Sequence, residues 1–184
     1  HLISNEHQKV AEIPVKVRAL LKEIQKVVAK REKALIFSNF TSFLDVIASF
    51  LKTNGIVFRR IDGRMSTKNR LNASKSFSDD KNVSCMLIST KAGGTGLNLI
   101  EANHVFIMDL WWNFSSEEQA MDRCYRIGQQ KNVHVIRYCC KDSVEERILK
   151  IQERKHMLAK GSMQKQTPEE RRQARLDELT SMFQ

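Results

Sequence analysis

Ser89-Thr-Lys-Ala-Gly-Gly-Thr-Gly-Leu-Asn-Leu99, the apolar run ending in Asp109-Leu-Trp-Trp-Asn-Phe114, and Glu117-Glu-Gln-Ala-Met-Asp-Arg-Cys-Tyr-Arg-Ile-Gly-Gln129 bring three unlike chemistries into about forty residues. The glycine-rich turn lets backbone N–H groups approach a phosphate, since glycine reaches positive φ and has no Cβ to clash. The paired tryptophans are costly to expose unless one packs or stacks. The last segment predicts a helix from Ser115 to about Ile127, with Gln119, Arg123 and Arg126 at spacings of four and three on one face. Two guanidinium forks that stay charged suit a polyphosphate.

Outward from this stretch the chain alternates strands and helices. Val83 to Ser89 and Val105 to Met108 are short apolar runs, as are Ala34 to Phe37, Val57 to Ile61 and Val133 to Cys139. Continuous apolar runs of this length fit strands buried on both faces of a parallel sheet. Between them lie helical periods: Val17, Leu20, Leu21, Ile24, Val27 and Val28 after Pro14, then Phe43, Leu44, Ile47, Phe50 and Leu51 after Thr41 or Ser42 as a cap. Ser66 caps a further helix to about Phe77. The pattern predicts an α/β fold, a parallel sheet covered by helices. Ligands bind such sheets at the carboxyl ends of the strands. Asn39 and Thr41, Asp62 to Arg64, Thr90 to Gly96 and Asp109 to Asn113 all fall there.

From Ser143 the character changes to a long, charged amphipathic helix through Ile148, Ile151 and Leu158, broken at Gly161. Thr167 and Pro168 then open a last charged helix, Glu169 to about Met182. The formal charge of +10 points to a polyanion, nucleic acid before an anionic membrane. No apolar run approaches the ~20 residues that cross a bilayer, so no membrane partner is expected. Four cysteines without Cys-x-x-Cys spacing and five scattered histidines predict reduced thiols and no metal site.

An ATPase of the P-loop kind needs Gly-x-x-x-x-Gly-Lys-Ser/Thr and an acidic strand end for magnesium. No Gly-Lys dipeptide occurs here, and tryptophans follow Asp109 in place of a second carboxylate. The arginines suit a nucleotide that this chain lacks the groups to hold alone. That is a half-site, completed by another lobe.

Lys33-Ala-Leu-Ile-Phe-Ser-Asn-Phe-Thr41, Ile61-Asp-Gly-Arg-Met-Ser66 and the two glycine- and arginine-bearing segments quoted above resemble, in order, the motifs of the second RecA-like lobe of Swi/Snf-family DNA translocases, within helicase superfamily two. The likeness covers about residues 14 to 160. It implies a RecA-like sheet with helices on both faces and a C-terminal helical extension. Residues 1–13 would lead in from an upstream lobe, 14–142 form the helicase C-terminal lobe, 143–160 a brace helix, and 161–184 a linker and charged helix. The implied activity is ATP-driven translocation on double-stranded DNA in chromatin remodelling or DNA repair, in the nucleus. ATP and magnesium would be held mainly by the first RecA-like lobe of the same protein, with a nucleosome or another DNA-bound protein as a further partner.

Residue by residue, the resemblance implies nucleotide contacts from Gln119, Arg123 and Arg126, the arginines being catalytic and the last of them finger-like. Gly94 and Gly96 match the turn near the nucleotide. Asn39, Arg64, Ser89, Thr90 and Lys91 match positions facing the DNA backbone, and Trp112 matches a tryptophan beside the groove. The chain departs from the family where Leu110 and Phe114 replace two prolines, Tyr125 a histidine, Asn39 a glutamine and Arg64 a serine. Beside these roles stand plainer ones: Arg123 and Arg126 as surface arginines, the glycines as a tight strand-to-helix turn, Asn39 as a turn residue. The chain alone is expected to hydrolyse no ATP. The rival to the motor lobe is a catalytically degenerate module that docks on DNA or protein.

Overall fold

The computed structural model describes residues 13–93, 98–112 and 114–161. Its order is α1 (Val15–Ala29), β1 (Ala34–Ser38), α2 (Thr41–Thr53), β2 (Phe58–Ile61), α3 (Thr67–Asp79), β3 (Cys85–Ser89), α4 (Thr90–Gly93), β4 (His104–Ile107), α5 (Ser115–Met121), β5 (His134–Arg137) and α6 (Val144–Gly161). The five strands form one sheet in the order β2-β3-β1-β4-β5. Every pairing is parallel. All carboxyl ends therefore point to one edge, and Ser38 stands in register with Ser89 there.

The side chains of β1 explain the two-faced cover. All five residues are buried. Leu35 and Phe37 join one apolar cluster with Phe77, Ala120 and Ile148. Ala34 and Ile36 join the other with Leu20, Ile24, Leu44 and Leu51. Alternation along a strand sends successive residues to opposite faces. So α1 and α2 cover one face, while α3, α5 and α6 cover the other. The parallel sheet covered on both faces, with a helical extension, is the architecture the alternating pattern and the resemblance imply.

Local signals vary in how they act. Ser66 caps α3, its hydroxyl accepting the Asn69 N–H at 3.3 Å. Phe40, with no side-chain cap, precedes α2, which already contains Thr41 and Ser42. The strands are slightly shorter than the apolar runs suggest: β2 begins at Phe58 and β3 at Cys85. The helix expected to reach Ile127 stops at Met121. Beyond it the Cys124 N–H bonds the Met121 carbonyl at 3.0 Å and the Arg126 N–H bonds the Cys124 carbonyl at 3.0 Å, so the chain tightens into turns. The carbonyl of Arg123 is taken by the Leu99 N–H at 3.2 Å, and Cys124 is drawn fully inside. A long-range bond thus displaces the helical one. Gly161 lies within α6 as its last residue. The lead-in 1–12 and the tail from 162, including the helix expected at Glu169, lie outside the described residues.

Candidate functional site

Four loops meet at the carboxyl edge of the sheet. The first follows β1. Ser38 is buried, and its hydroxyl donates to Asp109 Oδ2 while accepting the Phe40 N–H at 3.1 Å. The Asn39 N–H donates to the same carboxylate oxygen at 2.9 Å. The ends of β1 and β4 are thereby locked together. Burial raises the Asp109 carboxyl above its ordinary range, against the Ser38 and Asn39 hydrogen bonds and nearby Lys16.

The second loop is fixed by Asp62. Its Oδ1 accepts the Arg64 N–H at 2.9 Å and its Oδ2 the Arg60 Nε at 2.8 Å. Asp62 is buried, whereas Arg64 is exposed, so the acid shapes the turn and the arginine is presented to solvent. The third loop carries Ser89, Thr90 and Lys91. Ser89 is 2% exposed, Thr90 half-buried and Lys91 exposed. Ser89 sits inside the edge, and α4 begins at Thr90 where the glycine-rich turn was expected to open directly. Gly94 and Gly96 lie outside the described residues, as does Asn113.

The fourth loop follows β4. Leu110 is 3% exposed in the core, and Phe114 lies under the Arg137 guanidinium at 5.5 Å from the ring centroid. Both residues that stand in place of prolines are therefore absorbed by packing. Trp111 is half-buried and Trp112 is 44% exposed, their rings stacked with centroids 3.9 Å apart. Of the pair, Trp112 is the one available to a ligand.

Gln119, Arg123 and Arg126 do not share one helix face. Gln119 is exposed on α5, Arg123 is half-buried in the turn after it, and Arg126 is exposed beyond. The turn nonetheless keeps the two guanidiniums close. Burial lowers the Arg123 pKa, and the neighbouring Arg126 charge lowers it further. Arg123 Nε is buried without a hydrogen-bond partner. A buried donor left unmet beside a like charge is costly, and an anion relieves both costs. The Gln129 amide holds this turn against the sheet, donating to the carbonyls of Ile100 and Ala102 at 2.9 Å each. A groove of about 560 Å³ opens nearby, lined by Glu118, Met121, Asp122, Tyr125, Val133 and Val135. Its two carboxylates, Glu118 and Asp122, disfavour a polyphosphate there.

Sequence reading passed over the residues that fix these loops: Ser38, Glu117, Gln129, Arg137 and Gln152. Asp62, next to Gly63, did carry a local turn signal.

The sequence profile of the helicase conserved C-terminal domain matches residues 15–128. The chain is 50% identical over 146 residues to the DNA repair protein rad8 of Schizosaccharomyces pombe, covering 78% of this chain and 13% of that protein. It is 45% identical over 170 residues to the DNA repair protein RAD5B of Arabidopsis thaliana, covering 91% of this chain and 13% of that one. The crystal structure of the C-terminal part of the Fun30 ATPase domain matches with a TM-score of 0.72 at 40% identity, over 74% of this chain and 44% of that one.

Proposed function

The chain belongs to the helicase conserved C-terminal domain family, in its Swi/Snf branch, and from that premise we propose that it is the second motor lobe of an ATP-dependent translocase on double-stranded DNA. The observation that carries this reading is Arg123, whose half-buried guanidinium keeps an unmet Nε beside the exposed Arg126. These residues fit a nucleotide polyphosphate. Arg123 offers a half-buried guanidinium and Arg126 an exposed one, which together would neutralise phosphate oxygens presented by a second lobe. Gln119, exposed on α5, joins them on the nucleotide side. Among the described residues no group of three or more His, Cys, Asp or Glu side chains converges on a metal position. The family resemblance assigns magnesium to the first lobe, and no step by this chain runs through it.

The DNA face is the sheet edge. Arg64 and Lys91 supply exposed charge, Asn39 and Thr90 polar groups, and Trp112 an exposed ring. Ser89 acts from beneath, as a packed member of the edge. Phosphate contacts carry no sequence information, so binding is expected to be nonspecific and salt-sensitive. The chain spans 13% of the length of either repair-protein relative, so the whole protein's work is inferred: remodelling DNA-bound protein or repairing DNA in the nucleus. ATP hydrolysis would require the first lobe, and the chain alone would have none.

Duplex binding by the 184-residue chain across a salt series tests the DNA face. Lys91→Ala should weaken binding to all sequences alike and reduce the slope of log affinity against log salt by about one. Unchanged affinity and slope would refute the assignment of this edge.

A further inference from the structure

Gln152 of α6 lies 5% exposed against the tryptophan loop. Its amide nitrogen donates to the Trp111 carbonyl at 2.5 Å and to Glu117 Oε1 at 2.8 Å. Its amide oxygen accepts from the Arg137 guanidinium. Glu117, 4% exposed in the first turn of α5, also accepts the Trp111 N–H at 3.4 Å. Arg137 Nε approaches Glu117 Oε2 to 2.8 Å as an ion pair, its N–H not aimed at the oxygen. The Trp111 peptide is thus gripped at both ends, its N–H by α5 and its carbonyl by α6, while β5 holds the two gripping side chains through Arg137.

We propose that Gln152 is a positioning residue through which α6 holds the Trp111–Trp112 loop and so sets the face that Trp112 presents. The chemistry selects an amide. It must donate twice, to a carbonyl and a carboxylate, and accept once, from a guanidinium, without adding charge to a site nearly closed to water. A glutamate cannot donate to Trp111 and would repel Glu117. A leucine does neither. The network's position adds a reason: Trp111 stacks on Trp112 with centroids 3.9 Å apart, so a displaced Trp111 peptide moves the ring against which Trp112 packs. The other end of α6 is anchored separately. Lys16 of α1 pairs with Glu145 and donates to the Met108 carbonyl at 2.7 Å, and Ile148 enters the core. Loss of Gln152 therefore frees the loop without detaching the helix.

The test uses the 184-residue chain, whose only two tryptophans are Trp111 and Trp112, so that intrinsic emission reads this loop alone. Gln152→Glu keeps shape and the bond from Arg137 but loses both donations. Gln152→Leu loses all three. Ile24→Val, a trimming of the buried core in α1, serves as a control for loss of stability alone. Both Gln152 variants should keep the far-ultraviolet spectrum while acrylamide quenching of tryptophan emission rises, and Ile24→Val should leave quenching as in wild type. Should Gln152→Leu fail to fold, Gln152→Glu decides. A lowered melting midpoint with unchanged quenching in Gln152→Glu would reduce Gln152 to simple packing and overturn the proposal. The DNA arm rests on the functional reading above: duplex affinity should fall about five- to tenfold, the loss of about one ordinary hydrogen bond expressed as affinity. Raised quenching with full duplex affinity would overturn the claim that the loop's pose governs the face Trp112 presents. A wild-type chain that binds no duplex would refute the functional reading and leave the quenching result to decide the positioning.

Discussion

Replacing Ser38 by alanine should unfasten the two strand ends on which the candidate site stands. The hydroxyl is 1% exposed, donates to Asp109 Oδ2 and accepts the Phe40 N–H at 3.1 Å. Its removal deletes a hydrogen bond to a charged group, worth about 1.5–3 kcal/mol, and leaves almost no cavity. For a chain of this size a loss of about 2 kcal/mol lowers the melting midpoint by roughly 4–8 °C. The pH dependence sharpens the test. Burial holds the folded Asp109 pKa above its ordinary 3.8, and the Ser38 bond is among the groups that pull it back down. Without that bond the folded pKa moves further up. Below both folded values the carboxyl is protonated in either protein and this part of the difference vanishes. As pH rises through them the variant falls behind, and the gap is complete near neutrality. Calorimetric scans of both proteins from neutral pH down to about pH 4 measure it. A midpoint deficit near zero at neutral pH, or one that does not shrink on acidification, would refute the role given to this contact.

Glu32 provides an opposite case. Its pKa lies below the ordinary 4.5, first because of the His104 hydrogen bond, Nε2 to Oε2 2.6 Å, against some desolvation. A depressed folded pKa contributes stability above the unfolded value that disappears as pH falls through the folded one. Glu32→Gln should therefore lower the urea midpoint near neutrality, and the gap to wild type should close below about pH 4; a constant gap would refute the assignment. Burial pushes the Cys85 and Cys124 thiols up to about 12, while Cys139 is exposed. A maleimide should label Cys139 of the native chain first and reach Cys85 and Cys124 only as fast as the chain unfolds; prompt labelling of either buried thiol, read by peptide mapping, would contradict the packing described.

Residues 34–38 show why the sheet was legible in the sequence. A strand buried on both faces reads as an unbroken apolar run, and all five residues are buried. That the loops after these strands share one edge then follows from parallel pairing. The end of α5 was not legible. Gln119, Arg123 and Arg126 keep helical spacing, yet the helix stops at Met121, and the Leu99 amide takes the Arg123 carbonyl that a helix running to Ile127 would use. No local signal reports a competing bond from a distant segment. Lys33 opens a quoted motif without any role being read for it, and its ammonium donates to the Phe77 and Asp80 carbonyls at the end of α3, the latter at 2.9 Å. Gln152 and Glu117 meet across a separation of 35 residues. Such polar contacts depend on tertiary placement, and only the charged and aromatic residues of the motifs could be named beforehand. For the tryptophan pair, adjacency only allowed one ring to pack and the other to face outward; Trp111 is half-buried, Trp112 is the more exposed, and the two rings stack on each other.

The measurement that bears most directly on the motor-lobe assignment is steady-state ATP hydrolysis by the full-length protein, with and without duplex DNA, beside its Arg126→Ala variant and the 184-residue chain. Turnover stimulated by DNA in the full-length protein, its loss by about a thousandfold or more in the variant with duplex binding retained, and no turnover by the chain alone are the results expected. Hydrolysis by Arg126→Ala at the wild-type rate, or no hydrolysis by the full-length protein while this chain still binds duplex, would contradict the assignment and leave a docking module in its place.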